Sequence, residues 1–181
     1  MFKNATEAKG ALAKIYASLS LTGQKGPASD GDIAGADEGS TGYTRMQFYL
    51  QVTSTDEAII RWSDAGVPDF HNMSWTPANT FNNAYYNRLG QQIAFANSFI
   101  DNAQALVSDP EVGYYIAEAR FIRAYVYYNV IDAFGKAPLV TSSKADLKSA
   151  QNTCAELFNF VESELKDLEG KLKAARANEY S

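Results

Sequence analysis

An all-helical protein of antiparallel helix pairs is the fold class this sequence predicts, on three observations. Apolar residues recur at steps of three and four in separate stretches of the chain, the spacing that lines one face of an α-helix. Start and stop residues bracket the most apolar of these stretches. Strand signals are almost missing, and "APLVTS" at 137–142 is the one candidate for a short extended piece.

The first helix is expected over Thr6 to Ser20, with Ala8, Leu12, Ile15 and Leu19 on one face. A loop rich in Gly, Ser and Asp follows from Leu21 to Tyr43; at that length and without periodicity it is a functional excursion or a mobile one. "TSTDEAIIRWS" at 53–63 reads as a short helix, because Ser54 and Glu57 have capping-box spacing and acids favour the positive end of a helix dipole. Gly66, Pro68 and Pro77 then interrupt regular structure. A long helix is predicted over Phe81 to Leu106, carrying Tyr85, Leu89, Ile93, Ala96 and Ile100.

Asp109 as N-cap and Pro110 at the first helical position open the next helix. Ala117, Phe121, Ala124, Tyr128 and Ile131 step along one face, and Ile122, Val126, Val130 and Ala133 along the adjoining one. Gly135, with Pro138 three residues beyond, closes it. The last helix begins near Thr153, which forms a capping-box spacing with Glu156, and Leu157, Val161, Leu165, Leu168 and Leu172 give it an apolar stripe. No 34-residue repeat aligns. Still, the pairing of helices and the small residues Ala117, Ala119 and Ala124 point to a tetratricopeptide-like solenoid with long irregular loops. In such stacks a helix with two apolar faces lies between neighbours.

Composition narrows function. Hydrophobic residues make up 46% and charged residues 20%, a globular balance. Sixteen basic against 21 acidic residues leave a net charge of −5, which argues against nucleic acid and against electrostatic attraction to anionic lipid. Cys154 is the sole cysteine, so no internal disulfide and no thiolate metal cage is possible. No apolar run reaches the roughly 20 residues of a membrane span, and "MFKNATEAKG" lacks the pattern of a secretion signal.

Catalytic and cofactor chemistry finds no foothold. His71 is the only histidine, so an HExxH metal site is excluded and a Ser-His-Asp triad would have one possible base. No glycine-rich phosphate loop is present. "DGDIAGADEGST" places Asp30, Asp32 and Gly35 at positions one, three and six of a calcium loop. Ala34 at five and Thr41 at twelve break the pattern, so a solvated loop is the expectation there. No metal, cofactor or catalytic residue is assigned.

Aromatic side chains are the credible site chemistry, at 13% of the chain. A pyranose lays its C–H face on a Trp or Tyr ring while amides, carboxylates or Arg bond its hydroxyls. Arg61, Trp62, Asp64, Phe70, His71, Trp75 and Asn79 bring rings and polar groups into one loop-bearing region, and loops on a rigid scaffold commonly carry binding residues. Trp75 is the preferred sugar platform with Asn79 beside it, Arg61 a hydroxyl partner, and Trp62 and His71 further candidates. Burial in the core is the competing expectation for both indoles, more so for Trp62. Arg120 and Arg123 are expected to satisfy buried carboxylates or carbonyls rather than a ligand.

One stretch carries a family likeness. "AEARFIRAYVYYNVIDAFGKAPLV" (117–140) resembles the signature helix of SusD/RagB-type proteins, glycan-capturing outer-membrane lipoproteins of Bacteroidetes. Glu118, Ala119, Arg120, Phe121, Arg123, Ala124, Tyr125, Phe134, Gly135, Pro138 and Leu139 carry the match. "YLQVTSTDEAIIRWSDAGVPDFHNMSWTPAN", "AYYNRLGQQIAFANSFID" and "CAELFNFVESELKDLEGKL" resemble flanking segments of the family in the same order.

The resemblance implies that residues 1–181 are the N-terminal helical part of a longer SusD-like protein. Such a protein would hold an oligosaccharide or polysaccharide at the outer-membrane surface and deliver it to a SusC-type TonB-dependent transporter, without bond cleavage. Its membrane attachment would come only through a lipid anchor missing from this chain, which by itself is expected to be soluble. The resemblance also favours the 61–79 segment as a source of glycan contacts. The alternative is a helix-repeat scaffold for the transporter with no sugar site in this chain.

Overall fold

The helix opened by Asp109 behaves as its end residues dictate. In the computed structural model, which describes residues 1–23, 31–33, 39–146 and 148–177, it spans Pro110–Phe134. Asp109 accepts a hydrogen bond from Glu111 N–H at 2.9 Å, and Gly135 closes the helix at φ 71°, a left-handed conformation that glycine adopts without steric penalty. The elements in order are α1 (Ala5–Ala17), α2 (Tyr43–Gln51), α3 (Pro68–Asn72), α4 (Thr80–Ala103), a 3-10 turn (Gln104–Leu106), α5 (Pro110–Phe134), β1 (Ala137–Pro138), β2 (Gln151–Asn152) and α6 (Cys154–Leu168). The all-helical expectation stands. "APLVTS" does begin with an extended piece, and it pairs antiparallel with β2, Ala137 opposite Asn152.

Two compact units can be separated, Met1–Ile15 with Gln92–Ser181, and Tyr16–Gln91. In the first, α5 packs on α6. Glu111 meets Lys173, Arg120 meets Glu164 and Asp167, and Tyr127 meets Phe160; partners fall in number as α5 rises, so the pair is antiparallel. Ile122, Val126 and Val130 are buried as the second apolar row requires. The first row divides: Ala117 and Ala124 are buried, whereas Phe121 and Tyr128 are exposed, with Tyr125 on the same outward arc. Steps of three and four locate a helix face, but not whether a neighbour covers it.

Arg123, only 5% exposed, is the polar centre of this unit. It donates to Glu164 at 2.9 Å, Asn97 Oδ1 at 2.8 Å and the Thr141 carbonyl at 3.0 Å. The Asn97 amide in turn donates to the Val140 carbonyl, and the Tyr127 hydroxyl accepts from Val140 N–H at 2.7 Å. The expectation that Arg120 and Arg123 satisfy internal carboxylates and carbonyls is met.

The predicted capping box of α6 is present: Thr153 Oγ1 accepts from Glu156 N–H, and Glu156 accepts from Thr153 N–H at 2.7 Å. We expect Thr153→Ala to lower stability by about 1 kcal/mol; thermal denaturation checks it, and an unchanged midpoint would show the box to be redundant. The helix stops at Leu168 rather than continuing to Leu172: Glu169 turns out at ψ 123°, Gly170 follows at φ 77°, and Lys171 N–H bonds the Leu168 carbonyl at 2.9 Å in a tight turn. Leu165, expected on the buried stripe, is 42% exposed.

The second unit departs most from expectation. No helix forms over "TSTDEAIIRWS"; the helix lies earlier, as α2. The hydroxyls expected to open a helix close the preceding one instead. Thr53 Oγ1 donates to the Tyr49 carbonyl at 2.7 Å and Ser54 Oγ to the Leu50 carbonyl at 2.6 Å, while Glu57 N–H turns back to Thr55 Oγ1. Ser and Thr side chains compete for backbone groups in this way. Helix α4 buries Tyr85, Leu89, Ile93, Ala96 and Ile100 along its length as predicted. Its fully buried Arg88 bonds the Thr41 carbonyl at 3.1 Å and Asp32 at 2.7 Å. Asp32, third position of the calcium-loop spacing, is therefore ion-paired; Asp30, Ala34 and Gly35 lie outside the described residues.

Candidate functional site

The 61–79 region is built on a buried ring cluster. Tyr49 from α2, Phe70 from α3 and Phe81 from α4 are each under a tenth exposed. Tyr49 and Phe81 meet edge to face at 5.5 Å between centroids, and Phe70 lies 6.1 Å from Tyr49 and 6.4 Å from Phe81. Such separations are those of attractive aromatic pairs. Trp75 rests on the rim of this cluster, its ring 6.3 Å from Phe70, and stays 45% exposed. The core expectation for Trp75 is overturned: its backing ring is buried, and the indole is half in solvent.

The loop bearing Trp75 is pinned at both ends. Met73 takes φ 51° and ends α3, and Ser74 N–H returns to the Asp69 carbonyl at 2.9 Å. On the other side Asn79 caps α4, its Oδ1 accepting from Phe81 N–H at 2.9 Å and Asn82 N–H at 3.2 Å. The Asn79 amide donates to the Gly66 carbonyl at 2.9 Å and to Asp69 at 3.0 Å. Gly66 sits at φ 91°, and a Cβ there would lie 2.9 Å from Asn79 Nδ2, so both space and backbone demand glycine.

Asn79 itself is 6% exposed. Its oxygen and nitrogen are both engaged within the chain, so this amide holds the loop.

The other candidates scatter. Trp62 is 53% exposed and, since the predicted helix does not form, it occupies a stretch without regular secondary structure. The core expectation fails for it too. Its partner is Arg45 of α2, whose guanidinium carbon lies 5.6 Å from the ring centroid. Arg61 is exposed, and so is His71 on α3.

Sequence reasoning missed Arg45, Phe48 and Tyr49. The signal was present: Tyr43, Met46 and Tyr49 step by three and are buried. The helix is only nine residues long and begins at Gly42 without a side-chain cap, so the usual start marker was lacking. The Tyr49 hydroxyl is buried with no hydrogen-bond partner among the described residues. Burial is the main cause pushing its phenol above the ordinary value; Arg45 opposes the shift and Asp64 reinforces it.

Elsewhere, a surface depression of about 380 Å³ in the other unit is walled by Tyr114, Ile116, Arg120 and Lys171 among others. Its cations are already engaged, Arg120 by Glu164 and Asp167, and Lys171 by Asp167. Among the described residues no group of His, Cys, Asp and Glu is arranged to hold a metal, and no helix is long and apolar enough to cross a membrane.

Comparison with known proteins decides the family. Residues 31–172 match the profile of the SusD-like family described as "Starch-binding associating with outer membrane". The chain belongs to the SusD-like family. It is 34% identical over 169 residues to the starch-binding protein SusD of Bacteroides thetaiotaomicron, an alignment covering 93% of this chain and 30% of SusD.

The fold agrees with solved SusD-like structures. A SusD homolog from Bacteroides thetaiotaomicron superposes with a TM-score of 0.75 at 20% identity, over 99% of this chain and 32% of that one. A laminarin-binding SusD-like protein gives 0.69 at 20% identity, over 94% and 35%. The SusD-like chain thus spans about a third of the length of these relatives.

Proposed function

We propose that this SusD-like chain contributes to glycan capture, with Trp75 as the sugar platform. The observation that carries the reading is the half-exposed indole of Trp75 backed by the buried Phe70 ring. A loop hydrogen-bonded at both ends holds that indole in place. A platform that is rigid before binding loses little conformational freedom on meeting a ligand. The named ligands of its relatives, starch and laminarin, are both glycans.

In this reading the protein binds and presents saccharide without cleaving it. It works at the outer-membrane surface and hands its cargo to a SusC-type transporter. Arg61 and His71, exposed on the same unit, are candidate hydroxyl partners. Asn79 acts indirectly by holding the loop.

Trp75→Ala is expected to weaken binding of soluble starch or laminarin roughly two- to tenfold, the equivalent of one stacked ring at about 0.5–1.5 kcal/mol. Calorimetric titration measures it. Unchanged affinity for every glucan that the wild type binds would remove the assignment.

A second reading, a scaffold contacting the transporter, draws on the outward rings Phe121, Tyr125 and Tyr128 of α5, since exposed aromatic stripes suit protein partners. Tryptophan fluorescence separates the two. Quenching or a shift on adding polysaccharide favours capture, and silence favours the scaffold.

A further inference from the structure

We infer that Met73 is an oxidation-sensitive contact of the Trp75 site, its thioether taken to the sulfoxide by a peroxide with a loss of glucan capture. This rests on the reading of Trp75 as a sugar platform and adds a covalent modification that regulates it.

Nothing in the fold asks for methionine at position 73. The residue ends α3 in the left-handed region, at φ 51° and ψ 37°, where glycine or asparagine is the ordinary occupant. Its N–H bonds the Phe70 carbonyl at 3.2 Å, a bond open to any residue except proline. The side chain is 67% exposed, so burial offsets little of the backbone cost. Residues held in such conformations gather at ligand clamps and switch regions.

Position supplies the ligand. Trp75 lies two residues on and is 45% exposed, which puts the two Cα atoms within about 7 Å of each other. Between them Ser74 N–H returns to the Asp69 carbonyl at 2.9 Å, so both side chains spring from one pinned turn. A saccharide stacked on the indole therefore has a thioether at its edge, a soft apolar group that adapts to irregular surfaces.

Exposure makes the oxidation selective. Of the three methionines, Met46 is fully buried, whereas Met1 and Met73 are open to solvent. With hydrogen peroxide, a sulfur lone pair attacks one peroxide oxygen, and the O–O bond breaks as the S–O bond forms. The hydroxyl proton passes to the departing hydroxide and gives water; sulfur is oxidised and peroxide reduced. The sulfoxide is polar where the thioether was apolar, so it loses its contact with the C–H face of a sugar. Because this side chain stands in solvent, the fold is left as it was.

The test treats wild type, Met73→Leu and Trp75→Ala with limiting hydrogen peroxide, followed by peptide mass spectrometry, thermal denaturation and calorimetric titration with soluble starch and laminarin. Met73 is expected to gain one oxygen at least about tenfold faster than Met46. Oxidised wild type is expected to bind glucan about threefold more weakly at an unchanged midpoint, and methionine sulfoxide reductase to restore the affinity. Met73→Leu, of similar volume but without sulfur, is expected to bind equally before and after peroxide. Met73→Gln, with a polar group at similar reach, is expected to be weakened without any oxidant.

Met73 oxidising no faster than Met46, or glucan affinity unmoved once Met73 is oxidised, would overturn this inference and leave the capture reading standing. So would an equal loss in peroxide-treated Met73→Leu, which would place the damage elsewhere, or a lowered midpoint, which would make it structural. Should untreated wild type bind neither glucan, or Trp75→Ala leave affinity intact, it is the capture reading that fails.

Discussion

Phe70→Ala is expected to destabilise the protein by about 4 kcal/mol, within the range for emptying a buried aromatic site. Phe70 is 2% exposed and touches Tyr49, Phe81 and Trp75 at centroid distances of 6.1, 6.4 and 6.3 Å. Its removal takes away transferred apolar surface and leaves a cavity that three pinned elements cannot collapse to fill. Trp75 loses its backing at the same time, so saccharide affinity should fall with stability. Phe70→Leu keeps most of the volume and should lose less than half as much stability. Urea denaturation gives the stability change. A loss under about 1 kcal/mol, or a large loss with binding untouched, would show that Phe70 does not support the platform.

The other large effect is expected at Glu164. Glu164→Ala should cost about 3 kcal/mol, because it strands the guanidinium of Arg123, 5% exposed, without its counter-charge. Arg120 suffers less, since Asp167 remains at 2.7 Å.

The pH dependence has a definite sign. Burial alone would raise the Glu164 pKa, but hydrogen bonds from Arg120 and Arg123 outweigh it and hold the carboxyl below the ordinary glutamate value of 4.5. A carboxyl with a lowered folded-state pKa stabilises fully above its unfolded value, and that stabilisation is lost as pH falls through the folded value. Wild type and Glu164→Gln should therefore differ most at neutral pH and converge in acid below 4.5. A stability gap that stays constant through acid would show that the charge on Glu164 contributes nothing.

How far the fold was legible depends on the range of the interactions involved. Asp109, Pro110 and Gly135 announced both ends of α5, and Thr153 with Glu156 announced the start of α6, because caps are formed by residues two to four positions away. The same local rule misled at Ser54, where the hydroxyl turned back to Leu50 rather than forward to a new helix. Capping-box spacing identifies a competent side chain but not which of two neighbouring helix ends takes it. Helix α2 escaped notice for the complementary reason: Gly42 offers no side-chain cap.

The candidate site was legible as a region rather than as a set of contacts. Trp75 was identifiable as a ring on a connecting segment, whereas Trp62 was expected on a short helix that does not form; both indoles are half in solvent. The role of Asn79 was not, because its bonds to Gly66, 13 residues away, and Asp69, 10 away, form only when the loop closes. Arg45 lay outside the region altogether until α2 brought it to Trp62.

What the sequence by itself determined is the helical class, both ends of α5, the start of α6 and the family signature. Apolar periodicity and caps act within a turn or two of chain, so they can be read without knowing the rest. Only the tertiary structure decided that Arg123 answers to Glu164, 41 residues on, and Arg88 to Asp32, 56 residues back. It also decided which rings remain in water. The physical reason is that charge pairing and solvent exposure depend on which segments become neighbours, and that choice is made by the packing of the helices together.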